Sequence, residues 1–357
     1  MHETLLKLHR WLALAVGLFL VLIALSGAAL VFEGAIDRGL NASLWHVTSA
    51  SDVPLSLDTL AARARAASGG PAVTAVSLSN AQDRAWVFSA AGGLQLFVNP
   101  YSGAVQGTRG ADARERSLAR RIHVFHETLM AGGVGHVIVG VVSILAVLLV
   151  LGGVVLWWRR RIVRVSARAS WKRVLFDLHH ALGICASVVL LLMAASGATI
   201  MYRALGEMIG KLDGSPPPKR ASPSVPASGA QVISADSAAA IARGALAGAS
   251  LMNLQLPRGG KDPVVAAMRF EEDHTPAGRS RVYIDQYTGV VLAVENTRTA
   301  ALGTRINNLK RSIHTGDLFG KPTQVLWLLA ALVMATQVVT GTAMWWNARR
   351  ARTPTTR

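Results

Sequence analysis

The stretch from His126 to Trp158 and the stretch from His314 to Trp346 are two copies of one unit. The first reads HETLMAGGVGHVIVGVVSILAVLLVLGGVVLWW and the second HTGDLFGKPTQVLWLLAALVMATQVVTGTAMWW. Aligned without a gap, His126 falls on His314, Gly132 on Gly320 and Gly153 on Gly341, and the pair Trp157-Trp158 falls on Trp345-Trp346. Each contains an apolar run long enough to cross a bilayer, which takes roughly 20 residues as a helix. A second repeated unit precedes each copy. LHRWLALAVGLFLVLIALSGAAL from Leu8 matches LHHALGICASVVLLLMAASGATI from Leu178, with His9 on His179 and Ser26-Gly27 on Ser196-Gly197. The chain is therefore a tandem duplication of helix, intervening segment and helix.

Four spans follow: Trp11–Phe32, His136–Trp158, Leu178–Tyr202 and Gln324–Trp346. Half the residues are hydrophobic, 51%, and only 16% are charged. That is a membrane composition rather than a disordered one. The net charge of +17 would suggest nucleic acid in a soluble protein. Here much of it flanks apolar spans, as the positive-inside rule expects, so no nucleic-acid partner is expected. Arg159, Arg160, Arg161, Arg164, Arg168, Lys172 and Arg173 fill the short loop between spans two and three without an acid. That loop is expected to be cytoplasmic, and Arg349, Arg350, Arg352 and Arg357 in the tail agree. Both termini are then inside, and the two long intervening segments outside. Because both halves start on the same side, they are parallel repeats. The first span is longer than a signal-peptide core of ~7–15 residues and reads as a retained helix.

The intervening segments repeat as well. LSLDTLAARARAAS reads as an amphipathic helix, and AVTAVSLS, RAWVFSA and GLQLFVNPYSGAVQG alternate as strands. In the second half SADSAAAIARGALAG is the helix, and Leu251–Leu256, Pro263–Phe270 and Arg281–Ala293 are the strands. Asn99-Pro100-Tyr101-Ser102-Gly103 parallels Asp285-Gln286-Tyr287-Thr288-Gly289, each glycine suiting a turn with positive φ. Two small α+β domains are expected, with Gly214–Gly229 as a proline- and serine-rich linker. The boundaries read as span one at 1–32, external domain one at 33–117, and an external helix with span two at 118–160. A basic loop follows at 161–177, then span three at 178–202, linker and external domain two at 203–310, span four at 311–347, and a tail at 348–357.

The chemistry lies in the histidines. Neutral imidazole ligates haem iron, and helical bundles commonly hold haem between facing helices. His9 and His179 sit at the inner mouths of spans one and three, and His126 and His314 at or just outside the outer mouths of spans two and four. The duplication makes each pair pseudo-symmetric, so two pairs at two heights would carry two b-type haems in series. Ser26-Gly27, Ser196-Gly197, Gly152-Gly153 and Thr340-Gly341 offer small residues where a macrocycle or a helix approaches closely. His180 neighbours His179 but points about 100° away on a helix, so one of the two is not a ligand, and the repeat favours His179. His123 lies one turn from His126 and is an alternative ligand. His136 is deeper in its span, but Gln324 stands at its repeat position. His2, His46 and His274 read as solvated loop residues. The lone Cys185 forms no internal disulfide or cysteine-rich metal site, and the tryptophan pairs read as interfacial anchors.

LHRW…LSGA, LHHALG…ASGA, HETLMAGGVGHVIVG, IHTGDLFG and the paired turns resemble the PepSY-associated transmembrane proteins of bacterial inner membranes. The resemblance covers nearly the whole chain. It implies a membrane protein with a four-transmembrane-helix bundle and two α+β periplasmic PepSY-like domains. Some members are similar to ferric-siderophore reductases that hold two haems. It further implies that His9 and His179 ligate the cytoplasmic-side haem and His126 and His314 the periplasmic-side haem. Electrons would then reach a ferric siderophore held near the PepSY domains, supplied by a quinol or a cytoplasmic flavoprotein. The sequence contains no convincing nucleophile triad, no Walker motif, and no G-x-G-x-x-G between a strand and a helix. Two rival readings are a non-redox scaffold whose histidines are only interfacial, and a metal or small-solute transporter. The spans carry no mid-membrane acid, which cation-coupled transport often needs.

Overall fold

The computed structural model describes residues 2–48, 53–112, 117–159, 161, 169–214, 221–226 and 229–350. Arg160, Arg164 and Arg168 of the basic loop, Arg352 and Arg357 of the tail, and parts of the proline-rich linker lie outside the described residues. In chain order the helices are α1 (His2–Leu30), α2 (Glu33–Leu40), α3 (Ala42–Trp45), α4 (Leu57–Ala67), α5 (Leu118–Thr128), α6 (Gly132–Trp158), α7 (Trp171–Met201), α8 (Arg203–Gly210), α9 (Ala235–Ala245), α10 (Leu302–Thr315) and α11 (Lys321–Arg350). The strands are β1 (Val73–Ser77), β2 (Trp86–Ala90), β3 (Gln95–Val98), β4 (Val105–Arg109), β5 (Ser250–Gln255), β6 (Val264–Arg269), β7 (Ser280–Ile284) and β8 (Val291–Glu295). They form two compact units. One holds Met1–Glu33, Arg121–Ile209 and Leu309–Arg357, the other Gly34–Arg120 and Gly210–Asn308.

The first unit is helical. α1, α6, α7 and α11 are each long and apolar enough to cross a membrane. The chief pairings are α1 with α6 and α11, and α7 with α6 and α11. Val16, Leu20, Val142, Ala146 and Leu149 form a small buried cluster at the α1–α6 seam. The outward faces stay apolar, with Leu18 at 69% and Val188 at 68% exposure. A water-soluble bundle would bury such faces, whereas lipid covers them. The helices outrun the apolar stretches that announce them. α7 starts at Trp171 rather than near Leu178, inside the expected basic loop, and Arg173 pairs one turn on with the buried Asp177 at 2.8 Å. Long basic side chains let a helix continue past the apolar zone while their heads reach water.

The second unit is built on one antiparallel sheet of eight strands, in the order β4-β3-β2-β1-β5-β6-β7-β8. Each half supplies four strands and the helix its sequence pattern predicts, the last stretch read in each half giving two strands around its turn, and the first half adds α2 and α3, which the pattern did not announce. The two expected small domains share a sheet, however, because β1 pairs with β5, Val76 opposite Leu254. An unpaired strand edge exposes a row of backbone donors and acceptors, and joining the halves removes two such edges. α4 and α9 cover one face, and a single core runs through both halves, including Leu60, Phe88, Leu96, Ala239, Leu254 and Ile284. Ser56 and Ser234 cap the two helices, each accepting from a backbone N–H in the first turn. Asp58 and Asp236 cap each other's helix. Asp58 accepts from Ala235 N at 2.8 Å, and Asp236 from Leu57 N at 2.8 Å. Carboxylates at helix N-termini satisfy donors that the helix leaves open.

The paired turns show what the repeat preserves and what it changes. Asn99 Oδ1 accepts from Tyr101 N at 2.9 Å and Ser102 N at 3.2 Å. Asp285 Oδ1 accepts from Tyr287 N and Thr288 N, both at 2.9 Å. The backbone N–H of Thr288, with those of Tyr287 and Val225, holds the Asp285 carboxyl down to about 2, against its cost of burial. A lowered carboxyl pKa adds stability that is complete above the unfolded value near 3.9 and is lost as pH falls through the folded value. Acid titration of unfolding is expected to show roughly 1–2 kcal/mol lost between pH 4 and 2 through this group. Asp285→Asn, which imitates Asn99, is expected to flatten that limb, and an unchanged limb would refute the assignment.

Candidate functional site

The helical unit brings the repeat-matched histidines together in pairs. His126 sits at the end of α5 and His314 at the end of α10. Their ring centroids are 6.0 Å apart, with planes inclined at 47°. Each ring is fixed by the helix on which it rests. His126 Nδ1 donates to the Ile23 carbonyl at 3.0 Å and lies 3.1 Å from Ser26 Oγ, both on α1. His314 Nδ1 donates to the Met193 carbonyl at 3.0 Å and lies 3.4 Å from Ser196 Oγ, both on α7. A carbonyl only accepts, so Nδ1 carries the proton and Nε2 keeps a lone pair.

The glycines quoted from the repeats are the seats of these rings. A Cβ on Gly27 would lie 2.9 Å from His126 Cε1, and one on Gly197 would lie 3.1 Å from His314 Cε1. The other pair follows the same rule. A Cβ on Gly341 would lie 3.3 Å from His179 Cε1, and one on Gly153 would lie 3.5 Å from His9 Cε1. His179 Nδ1 lies 2.9 Å from Thr340 Oγ1, whose own proton goes to the Thr336 carbonyl at 2.8 Å. His9 and His179 line one largely apolar cavity of about 360 Å³. Leu149, Phe176, Trp157, Trp345 and His180 share its wall.

The remaining histidines fall elsewhere. His180 stacks on Phe176 at 4.0 Å and its Nδ1 donates to the Phe176 carbonyl at 2.9 Å. It lines the cavity but is turned onto its own helix. His123 is held between two carboxylates, Glu127 at 3.1 Å and Glu33 at 3.6 Å. Both its nitrogens are engaged by these carboxylates. His136 is exposed, with Nε2 3.3 Å from the Met201 carbonyl. His46 bonds to Asp83 at 3.3 Å on the sheet unit, and His274 is exposed. His2 differs from expectation. It opens α1 and lines the same cavity as His9, because the helix begins a full two turns before the apolar run, with Glu3 in its first turn where an acid is favoured. The Ile23 and Met193 carbonyls and the Glu33–His123–Glu127 group were not foreseen. Only the i, i+4 spacing of His123 and Glu127 hinted at the last.

These residues suit a haem. The His126 and His314 rings, 6.0 Å apart between centroids, are close enough for one metal ion to lie within reach of both. Both rings offer Nε2 with Nδ1 anchored, the arrangement metal-ligating histidines usually show. Among the described residues no group of three or more His, Cys, Asp or Glu is placed to hold a bare ion. A macrocycle that supplies four ligands of its own asks the protein for only two.

Four long apolar helices in a tandem duplication, segments between them in sequence that form an antiparallel sheet, and histidines at matched repeat positions define a class of membrane protein. The chain belongs to the PepSY-associated TM region family, whose profile matches residues 6–348, nearly its whole length. A comparison with curated proteins finds no match.

Proposed function

We propose that this protein is a di-haem electron-transfer protein of the bacterial inner membrane that reduces ferric siderophores in the periplasm. The observation that carries the reading is the His126–His314 pair, with its 6.0 Å spacing and its two anchored Nδ1 atoms. Both termini are cytoplasmic in this reading, and the sheet unit corresponds to the two periplasmic PepSY-like halves. His9 and His179 hold the inner haem, and His126 and His314 the outer one. Haem supplies reversible one-electron transfer between Fe(III) and Fe(II). The chain's part is to fix the imidazoles, through the Ile23 and Met193 carbonyls and the Thr340 hydroxyl, and to exclude water with apolar walls such as Leu149 and Phe176. The electron comes from a quinol or a cytoplasmic flavoprotein and ends on the substrate iron. A chelate of hard oxygen donors holds Fe(III) tightly and Fe(II) weakly, so one electron releases the metal and no acid–base residue is needed.

The test is an optical spectrum of the detergent-purified protein, oxidised and then dithionite-reduced, with haem stoichiometry. About two six-coordinate b-type haems per chain are expected. A colourless protein, even after expression with added haem precursor, would overturn the reading and favour a scaffold.

A further inference from the structure

The two halves anchor three of the four histidines and leave the fourth unanchored. His126 and His314 donate to carbonyls, and His179 to the Thr340 hydroxyl. His9 Nδ1 is buried and has no hydrogen-bond partner among the described residues. The Leu149 carbonyl approaches the His9 ring, but at a distance or angle too poor for a hydrogen bond. The cause is a single difference between the repeats. Gly152 stands at the position that Thr340 occupies in the second half. A Cβ there would lie 3.7 Å from His9 Nδ1 and 3.9 Å from Leu5 Cδ1, both ordinary contacts. The place for a hydroxyl exists, and the sequence leaves it empty.

We infer that the inner site has one firm ligand, His179, and one exchangeable ligand, His9, and so admits a small neutral iron ligand such as carbon monoxide on the His9 side. This rests on the di-haem reading. A ligating histidine is held in tautomer and orientation by the partner of its other nitrogen. Without one, binding through Nε2 leaves a buried Nδ1–H unsatisfied, and each such bond costs stability. The exchange is a simple substitution. With haem bound, His9 Nε2 would give up the iron as the incoming ligand takes its place, and no electron or proton would move. The wall on the His9 side is largely apolar, which suits a neutral diatomic molecule better than a charged ligand. The outer site, with both rings bonded to carbonyls, stays closed.

The experiment is a carbon monoxide titration of the dithionite-reduced, haem-loaded protein in detergent, read by the reduced-plus-CO difference spectrum. Parent protein is expected to bind about one CO per two haems. Gly152→Thr gives His9 the hydroxyl that His179 has, with its own proton free to go to the Leu148 carbonyl as Thr340 does to Thr336. It is expected to weaken CO binding about tenfold, the scale on which such partners act on metal ligation. Gly152→Ser is the smaller variant should threonine crowd Leu5. Thr340→Val removes the anchor of His179 and is expected to strengthen CO binding by a similar factor. Parent protein that shows two six-coordinate haems but binds no CO would overturn the inference and leave the di-haem reading intact. CO affinity unchanged in both Gly152 variants would also overturn it. A protein without a haem spectrum before CO is added fails at the earlier reading.

Discussion

Purified His126→Ala and His314→Ala proteins are each expected to carry about one haem where the parent carries about two, with the inner spectrum unchanged. The two histidines meet at 6.0 Å and rest on different helices, α1 and α7. Removing either leaves the outer site with one imidazole and an open seat over Gly27 or Gly197. Loss of a hydrogen-bond partner of a ligating histidine alone changes metal affinity by about 10–100-fold, and loss of a ligand exceeds that. His123→Ala separates the site from its surroundings. His123 is bound by Glu33 and Glu127, so its loss is expected to leave both haems in place. Equal haem loss in His123→Ala and His126→Ala would show that the mouth of the bundle, rather than the pair, binds the cofactor.

Gly135→Ala is expected to empty the same outer site without touching a ligand. The turn between α5 and α6 folds back so tightly that a Cβ on Gly135 would fall inside the Thr128 carbonyl group, whose carbon would be 2.5 Å away. Leu129 and Met130 already sit at φ 50° and 60° to make this turn, a conformation costly for side chains with a Cβ. Backbone cannot give way as a side-chain tip can, so the α5–α6 hairpin must open. Overpacking of this kind costs about 1–3 kcal/mol or more, and opening the hairpin carries His126 off Gly27. Haem stoichiometry near one per chain, with a lowered unfolding midpoint in detergent, is the expected result. The second repeat supplies the control. Thr323 occupies the position of Gly135, and there Gly316 and Gly320 take the positive φ angles, 74° and 72°. Thr323→Ala loses only the Oγ1 contacts with Phe319 N and the Gly320 carbonyl and is expected to keep both haems. Full haem content in Gly135→Ala would refute the role given to the turn.

The existence of four spans, the duplication, and the matched positions of His126 with His314 and of His9 with His179 are legible in the sequence alone. These follow from periodicity and from matched positions, because a repeated unit folded twice must bring equivalent residues to equivalent places. The sequence also marked Gly27, Gly153, Gly197 and Gly341 as points of close approach, although only the structure shows that what approaches each is a histidine ring. Placement of the strands and of α4 and α9 was legible from alternation and turn residues to within three positions, whereas α2 and α3 were not. Contact between segments far apart in sequence emerges only on folding. The joining of β1 to β5 makes one sheet of two halves, since edge strands seek a partner and neither sequence names it. The anchoring of His126 by Ile23 and of His314 by Met193 uses backbone carbonyls, which every residue has and no pattern can single out. The Thr340–Gly152 difference stood in the aligned sequence throughout. It acquired meaning only when folding set one position against His179 and the other against His9, because a hydrogen bond depends on distance and direction, and the sequence records neither.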